Sequence, residues 1–505
     1  MNRRSFLTWA GAGVATAAIG HRFGRSARAA GFGEFPTAAK PLALPDNIKA
    51  KRVLEIFCYG GLSPWETLYL VRDYGKPGAA IAPNTQFHAF DHAAAIQNCG
   101  LPTNEIGQLL GQDADGADVE LGLYAQRLWN RPDVTGRMRV VVNSHRLEPH
   151  EAAVPTALTG RSVGQPGAGL GAHIQRFHID ANTTPSRATP YSYVFATGGL
   201  TSDNVEAAAS TGMHSGACKP LLIKVDNTAG LTELLQRNTV GARRTAHDDL
   251  TSLYLQQYSD RLKWPGTTAP VRARRASEFG IALGATKNVD ALSGVLAGVF
   301  DPREGIVCGE TNSFDIPLMS IDAARALLTD PVEPASYVCV SDVGLFEAAG
   351  GGGYDTHGGH QVTTARNFDN MLKALLGVFN APGETDPRKL NFDDTLVIIN
   401  TEFGRTPAAD GGAGSDSRNH WPYAYATAFI GGPIKPGQKG VYGAIGPDGQ
   451  PRTAVEPAEC RAAALLALGI YPFSAEAFAT SDVRGTTGET DAVAAVLKNC
   501  FGWEA

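Results

Sequence analysis

Five apolar runs rich in β-branched residues restrict the folds open to this chain. They are "RVLEIFCY" (52–59), "RMRVVVN" (137–143), "SYVCV" (336–340), "TLVIIN" (395–400) and "YATAFIGG" (425–432). Apolar character with no polar alternation marks strands buried on both faces, as in a parallel sheet. Helical spacing fills the gaps. "LGLYAQRLWN" (121–130) has apolar residues three and four apart, and "HEAAVPTALTG" (150–160) begins after Pro149. Phe368, Met371, Leu372, Leu375 and Leu376 fall on one stripe of 363–379, and "CRAAALLALGI" (460–470) reads as a buried helix. Strands alternating with helices predict an α/β sandwich around a mainly parallel central sheet. From about 185 to 330 strand signals thin out, while "SLYLQQYSDRL" and "SGVLAGVF" read as helices. A largely helical insertion is expected there.

The N-terminus carries a different message. "NRRSFLTWAGAGVATAAIG" pairs Arg3 and Arg4 ahead of a small-residue apolar run, and Ala27-Arg28-Ala29 fits a small-x-small cleavage site. This is the pattern of a twin-arginine export signal over residues 1–29. The expected mature chain is one domain, 30–505, in the periplasm or secreted. The run Trp9 to Gly20 is too short to span a bilayer, and no later stretch approaches a membrane span. A net charge of −6 over 505 residues argues against nucleic acid or an anionic membrane surface as partner. Seven cysteines and no CxxC pair leave at least one thiol free. Cys58 and Cys339 lie in strand runs and read as buried small hydrophobes. The acidic stretch 111–120 lacks the terminal glutamate of a calcium loop and reads as a solvated loop.

In parallel sheets functional groups collect at the carboxyl ends of the strands. Here each strand runs straight into a polar or glycine-rich loop. The first brings Ser63 and Glu66; the second brings His145, His150 and Glu151; the third leads through four glycines to Asp355, His357 and His360. The fourth brings Glu402 and Arg405, and a last loop (414–422) offers Asp416, Asn419 and His420. Carboxylate with imidazole is the ligand set of zinc, manganese or iron, or of calcium where carboxylates dominate. The glycines permit unusual backbone angles, so a bound metal is expected to supply the rigidity that the 350–360 loop lacks.

The ordered set "YGGLSPWET", "LTGRS", "GGYDTHGGH", "NTEFGRTP" and "RNHWP", behind a twin-arginine signal, resembles the exported domain-of-unknown-function-1501 family of the alkaline phosphatase and sulfatase superfamily. The resemblance runs from about residue 52 to 475 and implies an alkaline-phosphatase-like α/β/α fold. It also implies metal ligands at Asp355, at His357 or His360, at His420 and at Glu402, with Glu66 standing in for a first-strand aspartate. The superfamily nucleophile opens a helix ending in T-G; counted back from Gly160, its place falls on His150. Four departures are visible. The nucleophile place holds histidine instead of a hydroxyl, Glu402-Phe403 replaces aspartate-histidine, Tyr59-Gly60-Gly61 replaces the first-strand aspartate, and "YDTHGGH", behind a four-glycine insertion, lacks the usual histidine four residues after the aspartate.

The resulting expectation is an exported metal-dependent hydrolase of small phosphate or sulfate esters, with zinc the leading metal and manganese or calcium next. His150 is open as nucleophile, general acid/base or ligand. At a helix start it is expected to be neutral, because the helix field disfavours an imidazolium. Arg405 either clamps an oxyanion or pairs with Glu402 or Asp416. The rival reading is a non-catalytic binding or assembly protein on the same fold. A third, a sugar- or polymer-binding surface, rests on Trp65, Trp421 and Tyr423.

Overall fold

The computed structural model describes residues 32–75, 92–161, 167–181, 189–197, 219–225, 242–262, 289–296, 298–299, 305–308, 310–312, 315–345, 353–409, 416–474 and 477–504. The expected export signal lies outside them. Eight strands form the central sheet: β1 (Arg52–Cys58), β2 (Met138–Asn143), β3 (Ser192–Thr197), β4 (Leu221–Val225), β5 (Tyr337–Asp342), β6 (Thr395–Asn400), β7 (Tyr425–Gly431) and β8 (Gly440–Tyr442). Their spatial order is β8-β2-β7-β6-β1-β5-β3-β4. All five runs singled out in the sequence are strands of this sheet. In β5, β6 and β7 every residue is buried, which explains the missing polar alternation.

Helices cover both faces. Leu54, Ile56 and Cys58 of β1 face a core shared with the helices Ile316–Leu328 and His360–Val378. Val53 and Phe57 face the other core, with the helices His150–Thr159, Leu170–Ala181, Pro457–Ala467 and Glu489–Phe501. The fold is an α/β sandwich with a mainly parallel sheet. Among the described residues no helix is long and apolar enough to cross a membrane.

Three expectations need correction. β7 runs antiparallel to both neighbours, pairing Leu396 with Gly431 on one side and Tyr425 with Asn143 on the other. A parallel return needs a long crossover, usually a helix. Between Asn400 and Tyr425 the described residues hold only the short ladder Gly404–Arg405 against His420–Trp421, so the chain turns back at the same edge. Second, 121–130 is no single helix. It begins as the end of strand Asp118–Gly122, paired with Gly107–Gln112, and continues in two one-turn helices. Asp113 closes that hairpin by accepting from the amides of Asp115 and Ala117. Third, the region 185–330 is not only helical. β3 and β4 lie in it and extend the sheet in parallel register beyond β5.

Cys99 and Cys308 form a disulfide across 209 residues of sequence, while Cys58, Cys339, Cys460 and Cys500 are free and buried. Cys218 lies outside the described residues.

Candidate metal centre

β1, β2, β5 and β6 run the same way, so the segments that follow them open on one rim of the sheet. β7 starts at that rim, which places His420 there from the amino side.

Of the segment between β5 and the next helix, the described residues 353–359 are held by contacts of their own, Tyr354 above all. Tyr354 is fully buried, its amide donates to Tyr59 O at 2.8 Å and its hydroxyl donates to Asp342 Oδ2 at 2.8 Å. Two glycines let the loop close on β1. Gly60 has φ +106°, and a Cβ there would meet Asp355 N at 2.1 Å. Gly353 has φ +61°, and its Cβ would meet Tyr59 O at 2.5 Å. No L side chain fits either place without moving the backbone that carries Asp355.

Burial pushes the Asp342 carboxyl up to about 6 from its usual 3.8, against the hydrogen bonds from Gly344 and Tyr354. A folded-state value above the unfolded one means a stability contribution present below about pH 4 and lost as pH rises through about 6. The loss is on the order of 3 kcal/mol. Asp342→Asn should therefore flatten the fall in stability between pH 4 and 6, read from urea midpoints across that range.

Asp355 gathers the site around itself. His420 Nε2 lies 3.4 Å and His357 Nε2 3.1 Å from its Oδ1, and His150 Nε2 lies 3.5 Å from its Oδ2. Donor atoms of His150, Asp355 and His420 all lie within 4.8 Å of one another. The far nitrogens of both inner histidines are committed elsewhere. His150 Nδ1 meets Glu402 Oε1 at 3.0 Å, and His420 Nδ1 donates to the carbonyl of Glu148 at 2.7 Å. Each ring therefore turns Nε2 inward, and His150 Nε2 is buried with no hydrogen-bond partner. Imidazoles held at one nitrogen by a carboxylate or a carbonyl, with the other facing a carboxylate, make a donor set that fits a small divalent cation.

Glu402 is fully buried and also accepts from the Gly60 amide at 2.7 Å, which fixes its carboxylate at the end of β1. His145 Nε2 donates to Glu402 O at 2.5 Å, and its Nδ1 accepts from the Leu147 amide, so it braces the Glu402 backbone. Phe403 lies against both rings, at 4.4 Å from His420 and 5.1 Å from His150 between centroids.

At the start of its helix His150 faces two carboxylates, which act against the helix field. Burial opposes the imidazolium, but Asp355 and Glu402 outweigh it and raise His150 to about 9. Asp355 is held well below the usual carboxylate range. Burial pushes it up, but His150, His420 and Arg405 push it down further.

Arg405 does not face outward as an oxyanion clamp requires. It is fully buried, donates to Asp355 Oδ1, to Gly60 O and, at 3.1 Å, to Arg418 O. Its role in this geometry is to fix Asp355 and tie three loops together. Asp416 reaches back to the helix His360–Val378, accepting from the Gln361 amide in its first turn at 3.1 Å.

Glu66 and His360 form a second buried pair, with His360 Nε2 3.4 Å from Glu66 Oε1. Ser63 donates to the other Glu66 oxygen and Thr356 Oγ1 lies 2.6 Å from His360 Nδ1. Burial pushes Glu66 up, but His360, Arg418 and Ser63 draw it down to about 2. The two residues partner each other instead of joining Asp355. Trp65 is buried, with Nε1 donating to Arg405 O at 2.8 Å, so it packs the loops instead of offering a sugar platform.

Sequence reading missed two supports. The Glu148 carbonyl carries no side-chain signal, and the face of Phe403 turned to the histidines depends on the β6 to β7 turn.

No curated protein matches the chain. Residues 339–497, which carry Asp355, His357, Glu402, Arg405 and His420, match the family model described as "Protein of unknown function (DUF1501)".

Proposed function

We propose that this chain is an exported, metal-dependent hydrolase of small phosphate or sulfate esters, built on an alkaline-phosphatase-like sandwich and sent out by the twin-arginine route. The single observation that carries the reading is the inward convergence of His150 Nε2, His420 Nε2 and the Asp355 carboxylate, with both remote imidazole nitrogens already occupied. His150, Asp355 and His420 would hold the cation. Two imidazoles and one carboxylate favour zinc, with manganese next and calcium, which prefers oxygen, last. A divalent cation there would polarise an ester oxygen or bring bound water to near-neutral pKa.

The chain's own residues do the rest. Glu402 orients His150 by accepting from its Nδ1–H, which leaves Nε2 as the donor to the cation. Glu148 orients His420. Arg405 holds Asp355 in place. Phe403 keeps one side of the site dry, which strengthens every charge interaction inside it. In this reading His150 is a ligand, which accounts for the missing hydroxyl nucleophile: water is the attacking group.

A second reading, a metal-binding protein without catalysis, is favoured by the internal use of Arg405. One experiment separates them. Purified mature protein should carry about one equivalent of zinc by elemental analysis, and should hydrolyse members of a panel of aryl phosphates and sulfates. His150→Ala should lose both. Metal without turnover on any ester selects the binding protein, and absence of metal in zinc-supplemented preparations removes both readings.

A further inference from the structure

The run "SLYLQQYSDRL", which the sequence marks as helical, is the second half of a 21-residue helix, Ala242–Leu262. This helix turns its apolar side outward. Asp248 is buried and Thr251 and Ser252 are half-buried, while Leu250, Leu253 and Tyr254 are 68%, 54% and 66% exposed. The three stand at i, i+3 and i+4, so they share one stripe. A single exposed leucine is ordinary, but a contiguous apolar stripe marks an interaction surface. Among the described residues five large apolar side chains are exposed, and three of them are here.

The charges along the helix narrow the occupant. Three arginines and three aspartates leave it without net charge, whereas a helix that lies on an anionic membrane is rich in Lys and Arg. What the stripe matches is itself. Extended to both ends it runs through positions 243, 246, 250, 253, 257 and 260, the alternating three- and four-residue steps of a coiled-coil seam. Two copies can be set antiparallel with the midpoint of the pair between residues 251 and 252. Leu250 of each copy then comes level with Leu253 of the other. Ala246 comes level with Gln257, small against long, and Arg243 with Asp260, opposite charges at both ends. No like charges come level anywhere along the helix. A parallel pair would instead set Arg243 against Arg243 and Asp260 against Asp260, a repulsive arrangement.

We propose that the outward face of this helix is a self-association surface, and that its occupant is the same helix of a second copy, packed antiparallel at an interaxial distance of about 8–10 Å. The pair is two-fold symmetric, so each contact is made twice. The apolar part is short, two leucines and a tyrosine from each copy, so the dimer forms in the micromolar range and is not an obligate unit. The inference is independent of the metal centre, none of whose residues lies on this helix.

Light scattering on the mature protein checks this. Mass should rise from one chain toward two as concentration climbs through the micromolar range, and Leu250→Asp should hold it at one chain throughout. Leu250 is exposed in the single chain, so the variant should melt with the dilute parent. Register is read separately from cysteines placed at exposed positions of the seam. Ala246→Cys and Gln257→Cys, oxidised as a mixture, should link to each other and neither to itself, as judged from the masses of the joined peptides. A parent that stays one chain at every concentration, or a dimer that Leu250→Asp leaves intact, would overturn the inference. Links within each variant and none across the mixture would overturn it too, since they mean a parallel or unrelated contact. A parent that stays single and loses thermal stability with Leu250→Asp would place another segment of the same chain on the stripe and remove the second copy.

Discussion

Arg461→Met should lower folding stability by about 3–5 kcal/mol, because it strands a buried carboxylate. Glu55 lies in the middle of β1, fully buried, and Arg461 Nη1 reaches both its oxygens at 2.6 and 2.8 Å from the helix Pro457–Ala467. Tyr337 donates to Glu55 at 2.6 Å and Asn400 at 3.2 Å. The chain of donors continues outward. Thr427 donates to Asn400, Asn143 donates to Thr427, and Cys460 donates to Asn143. One polar thread thus crosses five adjacent strands, β5, β1, β6, β7 and β2, inside an apolar core, and every donor along it points toward Glu55.

Such a thread is demanding, since each member left without its partner keeps its desolvation penalty, about 1–3 kcal/mol for a neutral group. It also ties the register of the strands, because a one-residue slip turns Glu55 to the opposite face. Urea denaturation of Arg461→Met should show the loss. Adding Glu55→Gln to that variant should restore more than half of it, since a neutral amide can stay buried and still accept from Tyr337. A loss under about 1 kcal/mol in the single variant would mean that water reaches Glu55 and that the pair is no keystone.

Glu55 also shows where sequence reading stops. The run "RVLEIFCY" was legible as a buried strand because six apolar residues outweigh one acid. The acid was unreadable, because its partner lies 406 residues away. The same limit governs the rest of the sheet. β1, β2, β5 and β6 were legible in kind and in direction, since parallel order follows from helical crossovers that leave their own periodicity. The direction of β7 was not, because a strand buried on both faces looks alike read either way. β3 and β4 escaped notice as short runs, "SYVFAT" and "LLIKV", in a region poor in other strand signals.

The site divides along similar lines. That Asp355, Glu402 and His420 meet at one rim follows from strand ends, which the sequence displays. How the acids and imidazoles sort into groups depends on side-chain reach. Glu66 is drawn to His360, and His150 bridges Asp355 to Glu402, through distances that no spacing rule encodes. Tyr354 is the sharpest case. Four glycines before Asp355 suggested a loop that a metal would stiffen, and the aromatic residue beside Asp355, which that reading passed over, holds the described part of it.

That anchoring makes the behaviour of Asp355→Ala sharp. The loop should keep its place, because Tyr354, Gly353 and Gly60 hold it without the carboxylate. The variant should fold but with a lowered melting temperature, since the fully buried Arg405 loses its charged partner and keeps only backbone carbonyls. Zinc, in contrast, should be lost outright, because Asp355 touches every histidine of the centre. Glu402→Gln provides the graded control. It keeps shape and an acceptor for His150 but removes the charge behind that ring, and loss of such a support lowers metal affinity about 10–100-fold. The order of affinities, read by competition with a chelator, should be parent, then Glu402→Gln, then no measurable binding for Asp355→Ala. An Asp355→Ala protein that holds zinc as tightly as the parent would move the metal away from this rim altogether, and Glu66 with His360 would then be the place to look.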